Sequence, residues 1–430
     1  MYKLLVFTII TFAFNLSVLA QGSVGSPYTR YGIGDMNSGP LIRNSSMGGL
    51  SYTLPYKNNI NYINPAGIAN IDSLTFILDV GISGGTRNYS IATPPVSHSR
   101  YDVQLSYFNL GFSLFKWWKM AFGAAPYSNV GYNIVYTDNS LNVEREHRNE
   151  GSGGISRIFW SNAFIPVKNL RVGINATYNI GTIYNYNKID FGNDEQVGFF
   201  DFIEETNTRI SDFSFDLGLQ YDFFLNKKNK FTIGLLYSHN SDLRSFQSGV
   251  AYNENSKSSA NYIIRDTLSV SDEAKGIVSL PLAIGIGLGY CFNDKLFMGV
   301  DYTLQSWKNA QFFGDIDSMN NGNYISFGTE YTPAGYSGNA YNFWQAVSYR
   351  FGAYYNQTYF KLEDVQTPIN DFGITFGLGL PLKRSRTSFD VSLKLGQRGT
   401  HDKDLVRERY FIVGVGFNLN DVWFIKRKFD

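Results

Sequence analysis

The stretch Leu170-Arg-Val-Gly-Ile-Asn-Ala-Thr-Tyr-Asn-Ile180 alternates without a break. Leu170, Val172, Ile174, Ala176, Tyr178 and Ile180 share one phase, and Arg171, Gly173, Asn175, Thr177 and Asn179 share the other. Successive side chains of a strand point to opposite faces, so this segment makes one oily wall and one polar wall. Working outward from it, fourteen such stretches are expected, at 74–84, 101–115, 120–136, 154–164, 170–186, 208–223, 231–239, 277–291, 296–307, 323–332, 343–359, 371–380, 387–397 and 409–419. A soluble sandwich carries the same period, so the connections must decide.

Short connections bearing Lys or Arg, such as Lys116-Trp-Trp-Lys119, Pro166-Val-Lys-Asn169 and Asn293-Asp-Lys295, alternate with long polar ones at 85–99, 137–153, 188–207, 242–276, 309–322, 361–370 and 398–408. One tight end and one long end, with an even strand count, is the pattern of a transmembrane barrel whose termini and turns are periplasmic and whose loops face outside. Greek-key sandwiches have no reason to sort their connections this way. The expected fold is therefore all-β, a transmembrane antiparallel β-barrel of about 14 strands. Its phase predicts that Arg is costly at lipid-facing Ile174 or Leu217 and much cheaper at lumen-facing Asn175.

The N-terminus fixes the compartment. Lys3, an apolar run from Leu4 to Leu19 and the small-residue site Val18-Leu19-Ala20 before Gln21 read as a cleaved signal peptide over 1–20. No later run is long enough to span a bilayer as a helix, yet 43% of the residues are hydrophobic and 17% aromatic, with 35 Phe and 30 Tyr. Export, aromatic richness and no spanning helix point to the Gram-negative outer membrane, with lipid as the first partner. The single cysteine, Cys291, excludes an intramolecular disulfide framework. A formal net charge of +1 without a basic domain speaks against nucleic acid.

About eight strands fill a barrel with their own side chains, so fourteen leave a lumen that needs a plug or a cargo. Residues 21–73 are the candidate hatch. They carry Gly32, Gly34, Gly39, Gly48 and Gly49, four prolines, and apolar residues including Tyr28, Tyr31, Leu50, Tyr52, Tyr56, Tyr62 and Ile63 that an unfolded tail would not need. An unfolded periplasmic tail is the alternative. Barrel residues 74–419 follow, then a basic, aromatic tail at 420–430 with Trp423, Phe424, Lys426, Arg427 and Lys428.

Met47-Gly-Gly49 and Asn64-Pro-Ala-Gly-Ile-Ala69, just ahead of the first strand, resemble signature motifs of the FadL outer-membrane transport family. Leu280-Pro281, Asp301-Tyr302 and Trp307 are similar to further features of that family. The resemblance implies a fourteen-stranded barrel with an N-terminal hatch, in which Asn64, Pro65, Ala66 and Gly67 form the hatch motif. It implies passive uptake of hydrophobic, fatty-acid-like molecules with release through the barrel wall, where a kink in the third strand opens laterally. The family also contains subunits of secretion and protein-assembly complexes, so a structural or accessory role is the alternative.

Pro126, followed by Tyr127, falls inside the expected third strand, where proline removes a ladder hydrogen bond. The pair is the candidate lateral gate; a bulge near one rim is the plainer reading. Asp212, Asp216, Asp301, Lys394 and Arg398 fall on inward phases and are candidate lumen or ligand-facing residues. Either they tie wall to hatch, or Lys394 or Arg398 holds a cargo carboxylate. The scattered His98, His147, His239 and His401 suggest no catalytic centre. Gly81-Ile-Ser-Gly-Gly85 matches G-x-S-x-G without a following helix. No enzyme, cofactor or dedicated metal site is expected.

Overall fold

The computed structural model of the chain describes residues 25–36, 41–55, 57–138, 145–191, 200–255, 263–313, 319–335, 342–361, 368–382 and 385–422. The expected signal peptide at 1–20 and the tail residues Trp423, Phe424, Lys426, Arg427 and Lys428 lie outside them.

A two-residue strand β1 (Asp35–Met36) precedes the long strands. These are β2 (Thr75–Ile91), β3 (Val96–Ser113), β4 (Trp118–Asp138), β5 (Arg145–Val167), β6 (Leu170–Asp190), β7 (Asp201–Phe224), β8 (Asn229–Ser238), β9 (Ser241–Asn255) and β10 (Ile263–Leu280). They continue as β11 (Leu282–Phe292), β12 (Leu296–Ser306), β13 (Gly322–Tyr331), β14 (Ser348–Gln357), β15 (Asn370–Pro381), β16 (Ser388–Arg398) and β17 (Arg407–Val422). β2 through β8 pair in sequence, β8 pairs with β11, β11 through β17 pair in sequence, and β17 returns to β2. The result is a closed antiparallel barrel of 14 strands.

The phase read from 170–180 holds. Val172, Ile174 and Ile180 are exposed on the outer wall, while Arg171, Asn175, Thr177 and Asn179 are buried within. Outside the turn end of β4, Phe115, Trp117, Trp118 and Phe164 stack at centroid distances of about 6 Å, the amphipathic rim aromatics prefer.

Four expectations need correction. The presumed loop at 242–276 is mostly the hairpin β9–β10. β7 outlasts its neighbour β8, and β9 pairs with the edge left over, from Asp201 to Ile210. The expected strand 277–291 breaks at Pro281, which cannot donate to the ladder. The expected strand 343–359 opens with a helical turn, α2 (Phe343–Ala346), because the Asn342 carboxamide accepts the Gln345 amide at 3.0 Å and caps it. The last strand also runs past Leu419 to Val422.

Candidate functional site

Most of the described residues between 25 and 73 pack against inward-facing residues of strands around the ring. A 3-10 turn (Pro27–Arg30) begins with Ser26 accepting the Tyr28 amide at 3.1 Å. A short helix, α1 (Ile42–Ser45), packs on β15, β16, β17 and β2. A second 3-10 turn (Pro65–Asn70) sits on β4 to β7.

The two family-like motifs mark the tightest contacts. Asn64 caps the second turn, its Oδ1 accepting the Ala66 amide at 3.1 Å, and its Nδ2 donates to the Tyr52 carbonyl at 3.1 Å. Beneath it, Gly173 and Gly218 are cross-strand partners. A Cβ at Gly173 would lie 2.3 Å from the Pro65 backbone and one at Gly218 would lie 2.1 Å from Asn64 Oδ1. Gly328 and Gly352 form the matching floor under Met47-Gly48. Gly48 itself has φ +67°, and its amide donates to Thr375 at 2.8 Å.

Polar bolts hold this insert. Asp301 accepts the Ser51 and Tyr52 amides at 2.6 and 2.9 Å, so it is a hatch anchor. Arg398 grips Asp35 of the hatch with two bonds of 2.9 Å and reaches Asp371 at 3.1 Å. The partners of Arg398 here are carboxylates of this chain, as in the reading that ties wall to hatch. Toward the turn side, Glu330 is fully buried between Arg43 of the hatch, at 2.9 Å, and Arg350, which also binds Asp390. The loop-side flank is apolar, with Tyr28 and Ile33 packed against Val130, Ile155, Ile183, Leu243, Trp307 and Phe360. Trp307 stacks on Tyr359 at 4.2 Å.

The other candidates scatter. Asp216 is buried beside Asn175 and lines an internal cavity. Asp212 sits midway along β7, between the stretches paired with β9 and with β8, and is bonded at 2.9 Å to the exposed Arg244, so it belongs to a surface ion pair. Lys394 lies over the Tyr354 ring at 4.3 Å. Gly81-Ile-Ser-Gly-Gly85 lies within β2, where its register against β3 slips between Gly81 and Ile82, and Ser83 accepts a hydrogen bond from Ser106 at 2.8 Å, so no strand-to-helix nucleophile elbow forms there. Among the described residues no cluster of His, Cys and carboxylates suits a metal. Sequence reasoning missed Asp35, Arg43, Glu330 and Arg350. Glu330 and Arg350 showed only a lone charge on an inward phase, Asp35 and Arg43 only a lone charge in the N-terminal segment, and which charges meet follows from the closed fold.

Among the described residues the wall is interrupted between β3 and β4. β3 pairs with β4 only from Phe108 to Ser113, opposite Lys119 to Ala124. Two residues further on is Pro126, where the β4 register against β5 slips by one residue at Tyr127. From there β4 turns inward: Val130 enters the core, and β1 pairs with Asn129 and Ser128. The opposite edge of β3, from Val96 to Tyr107, has no strand beside it among the described residues. Two spaces meet at Pro126. One, of about 190 Å³, is lined by Tyr62, Ile63, Tyr127, Phe159, Asp216 and Phe360. The other, of about 120 Å³, lies behind the seam and is lined by Arg87, Asp102, Gln104, Asp371, Lys394 and Arg398.

The family model described as BamG matches residues 1–430. Among curated proteins none matches. Solved structures with the same architecture include the Pseudomonas putida toluene transporter TodX, 14% identical, covering 95% of this chain and 100% of its own at a TM-score of 0.57. The Ralstonia pickettii toluene transporter TbuX is 15% identical, covering 89% of this chain and 97% of its own at 0.57. A Pseudomonas aeruginosa FadL homologue is 11% identical, covering 90% and 98% at 0.56. At these identities the likeness is one of fold, and the fold is that of FadL-type outer-membrane channels.

Proposed function

This chain belongs to the BamG family, and from that premise we propose that it is a non-transport, FadL-type subunit of an outer-membrane protein-assembly complex. The family name points to such a subunit. The observation that carries the reading is the lumen. The first half of its hatch is fastened by ion pairs to buried wall residues, Asp35 to Arg398 and Arg43 to Glu330, and an apolar core fills the loop-side flank. Removing one partner of a buried pair costs about 3–5 kcal/mol, so a conduit that breaks such pairs with each cargo molecule is unfavourable. The wall then serves as a rigid, lipid-embedded surface, with termini in the periplasm and long loops outside. Isolation of the tagged full-length protein in mild detergent tests this. Other barrel-assembly subunits in stoichiometric amount are the expected result. A lone barrel carrying apolar small molecules overturns it.

A second reading is favoured by the seam. Uptake of hydrophobic molecules with lateral release would use the space beside Tyr127 and Phe159 and the unpaired wall at Pro126. Restoring a backbone donor by Pro126→Val then abolishes uptake of toluene in a folded protein. Unchanged uptake removes this reading.

A further inference from the structure

The free edge of β3 lies partly within the lipid-facing belt. Along it Leu105, Val103 and Tyr101 keep the outward apolar phase, and Val103 and Tyr101, 67% and 76% exposed, stand above closed-wall residues such as Ile174 at 38%, Ile158 at 54% and Leu288 at 59%. The excess is the area that a neighbouring strand covers elsewhere. Backbone amides and carbonyls along this edge face a region without water, where every backbone polar group needs a partner. Apolar cargo supplies none. The space behind the edge is lined by Asp102, Gln104, Arg87 and Lys394, which suits polar side chains better than hydrocarbon.

The chain shows how such an edge is satisfied. Across the seam, β4 is already met by a strand from elsewhere in the sequence, β1, with Asp35 opposite Asn129 and Met36 opposite Ser128. We propose that the edge of β3 from Tyr101 to Tyr107 is a β-augmentation site for a transmembrane strand of another outer-membrane protein, a strand with apolar residues on its lipid side and polar ones toward Asp102 and Gln104. The inference deepens the assembly reading and rests on it. Backbone pairing supplies the affinity and the alternating phase supplies the selectivity. An apolar small molecule leaving through the seam is the competing occupant.

The test uses the purified full-length protein in detergent and a fluorescent peptide with the sequence of residues 170–180, a ready-made strand of this alternation, read by anisotropy. Saturable binding is expected, with at least a tenfold loss in Val103→Lys, since a charged edge blocks strand addition. Val413→Lys, on the closed wall at the same level through Gly84, is expected to bind as wild type. A peptide with Pro at alternate positions is expected not to bind. Equal binding by wild type and Val103→Lys, or by the proline peptide, overturns the site. Displacement of the peptide by toluene at matched occupancy transfers the seam to small molecules and also overturns it. If Val103→Lys fails to fold, Tyr101→Lys, nearer the rim, reads the same edge. The isolated chain needs no complex for this assay, so its failure leaves the co-purification result standing, and the reverse holds.

Discussion

At the scale of single residues, the alternation in 170–180 told which side each residue faces but not what it faces. Ile174→Arg places a charge in lipid and is expected to cost about 2–4 kcal/mol, read by urea unfolding in bilayers. The phase alone makes Asn175→Arg much cheaper. The structure reverses that expectation: Asn175 is buried and its Nδ2 donates to the Tyr62 carbonyl at 2.7 Å, so the hatch occupies the space an open lumen would offer. Both substitutions are therefore expected to destabilise to a similar degree. Gly173→Val presses on the Pro65 backbone and should cost about 1–3 kcal/mol. It falls on the hatch, so new protease cleavage within 57–73 in a barrel that still migrates as folded is the expected signature. An uncut hatch would mean that Pro65 does not rest on Gly173.

At the scale of elements, strand number and order were legible because lipid outside and polar packing inside impose a strict period of two. The β9–β10 hairpin was not legible. Its sequence is polar on both faces, since it pairs with the projecting edge of β7 beyond the belt, and such strands lack the alternation that marks the others. The helical turn at Phe343–Ala346 was hidden for the opposite reason, since its aromatic residues read as strand. Pro126 was legible because proline within a ladder is a local contradiction, but only the register shows that the break frees the β3 edge rather than producing a closed bulge. Pro126→Val is expected to extend β3–β4 pairing beyond Phe108 and slow amide exchange across 101–107. Unchanged exchange there would show that inward packing of Val130, rather than the missing donor, holds the seam apart.

At the scale of the whole molecule, barrel and insert depend on each other unequally. The ring is closed by main-chain pairing around its full circumference on the turn side, whereas the insert is held by side chains, glycine floors and only the two-residue pairing of β1 with β4. The hatch motif was visible in sequence, but its fastening was not, because Asp35 and Arg398 are 363 residues apart and only closure of the ring brings them together. Deleting 26–73 should therefore leave a barrel that assembles and conducts ions as an open pore. Arg398→Met should act differently. It leaves Asp35, Asp371 and Glu408 without their shared cation, an uncompensated burial worth about 3–5 kcal/mol. The closed ring should survive it, so the strain is relieved by release of the first hatch turn, seen as intermittent rather than constant conductance in planar bilayers. A silent Arg398→Met barrel beside a conducting deletion would show that the glycine floors alone seat the hatch. Constant conductance in both would make Arg398 with Asp35 the contact on which the whole insert depends.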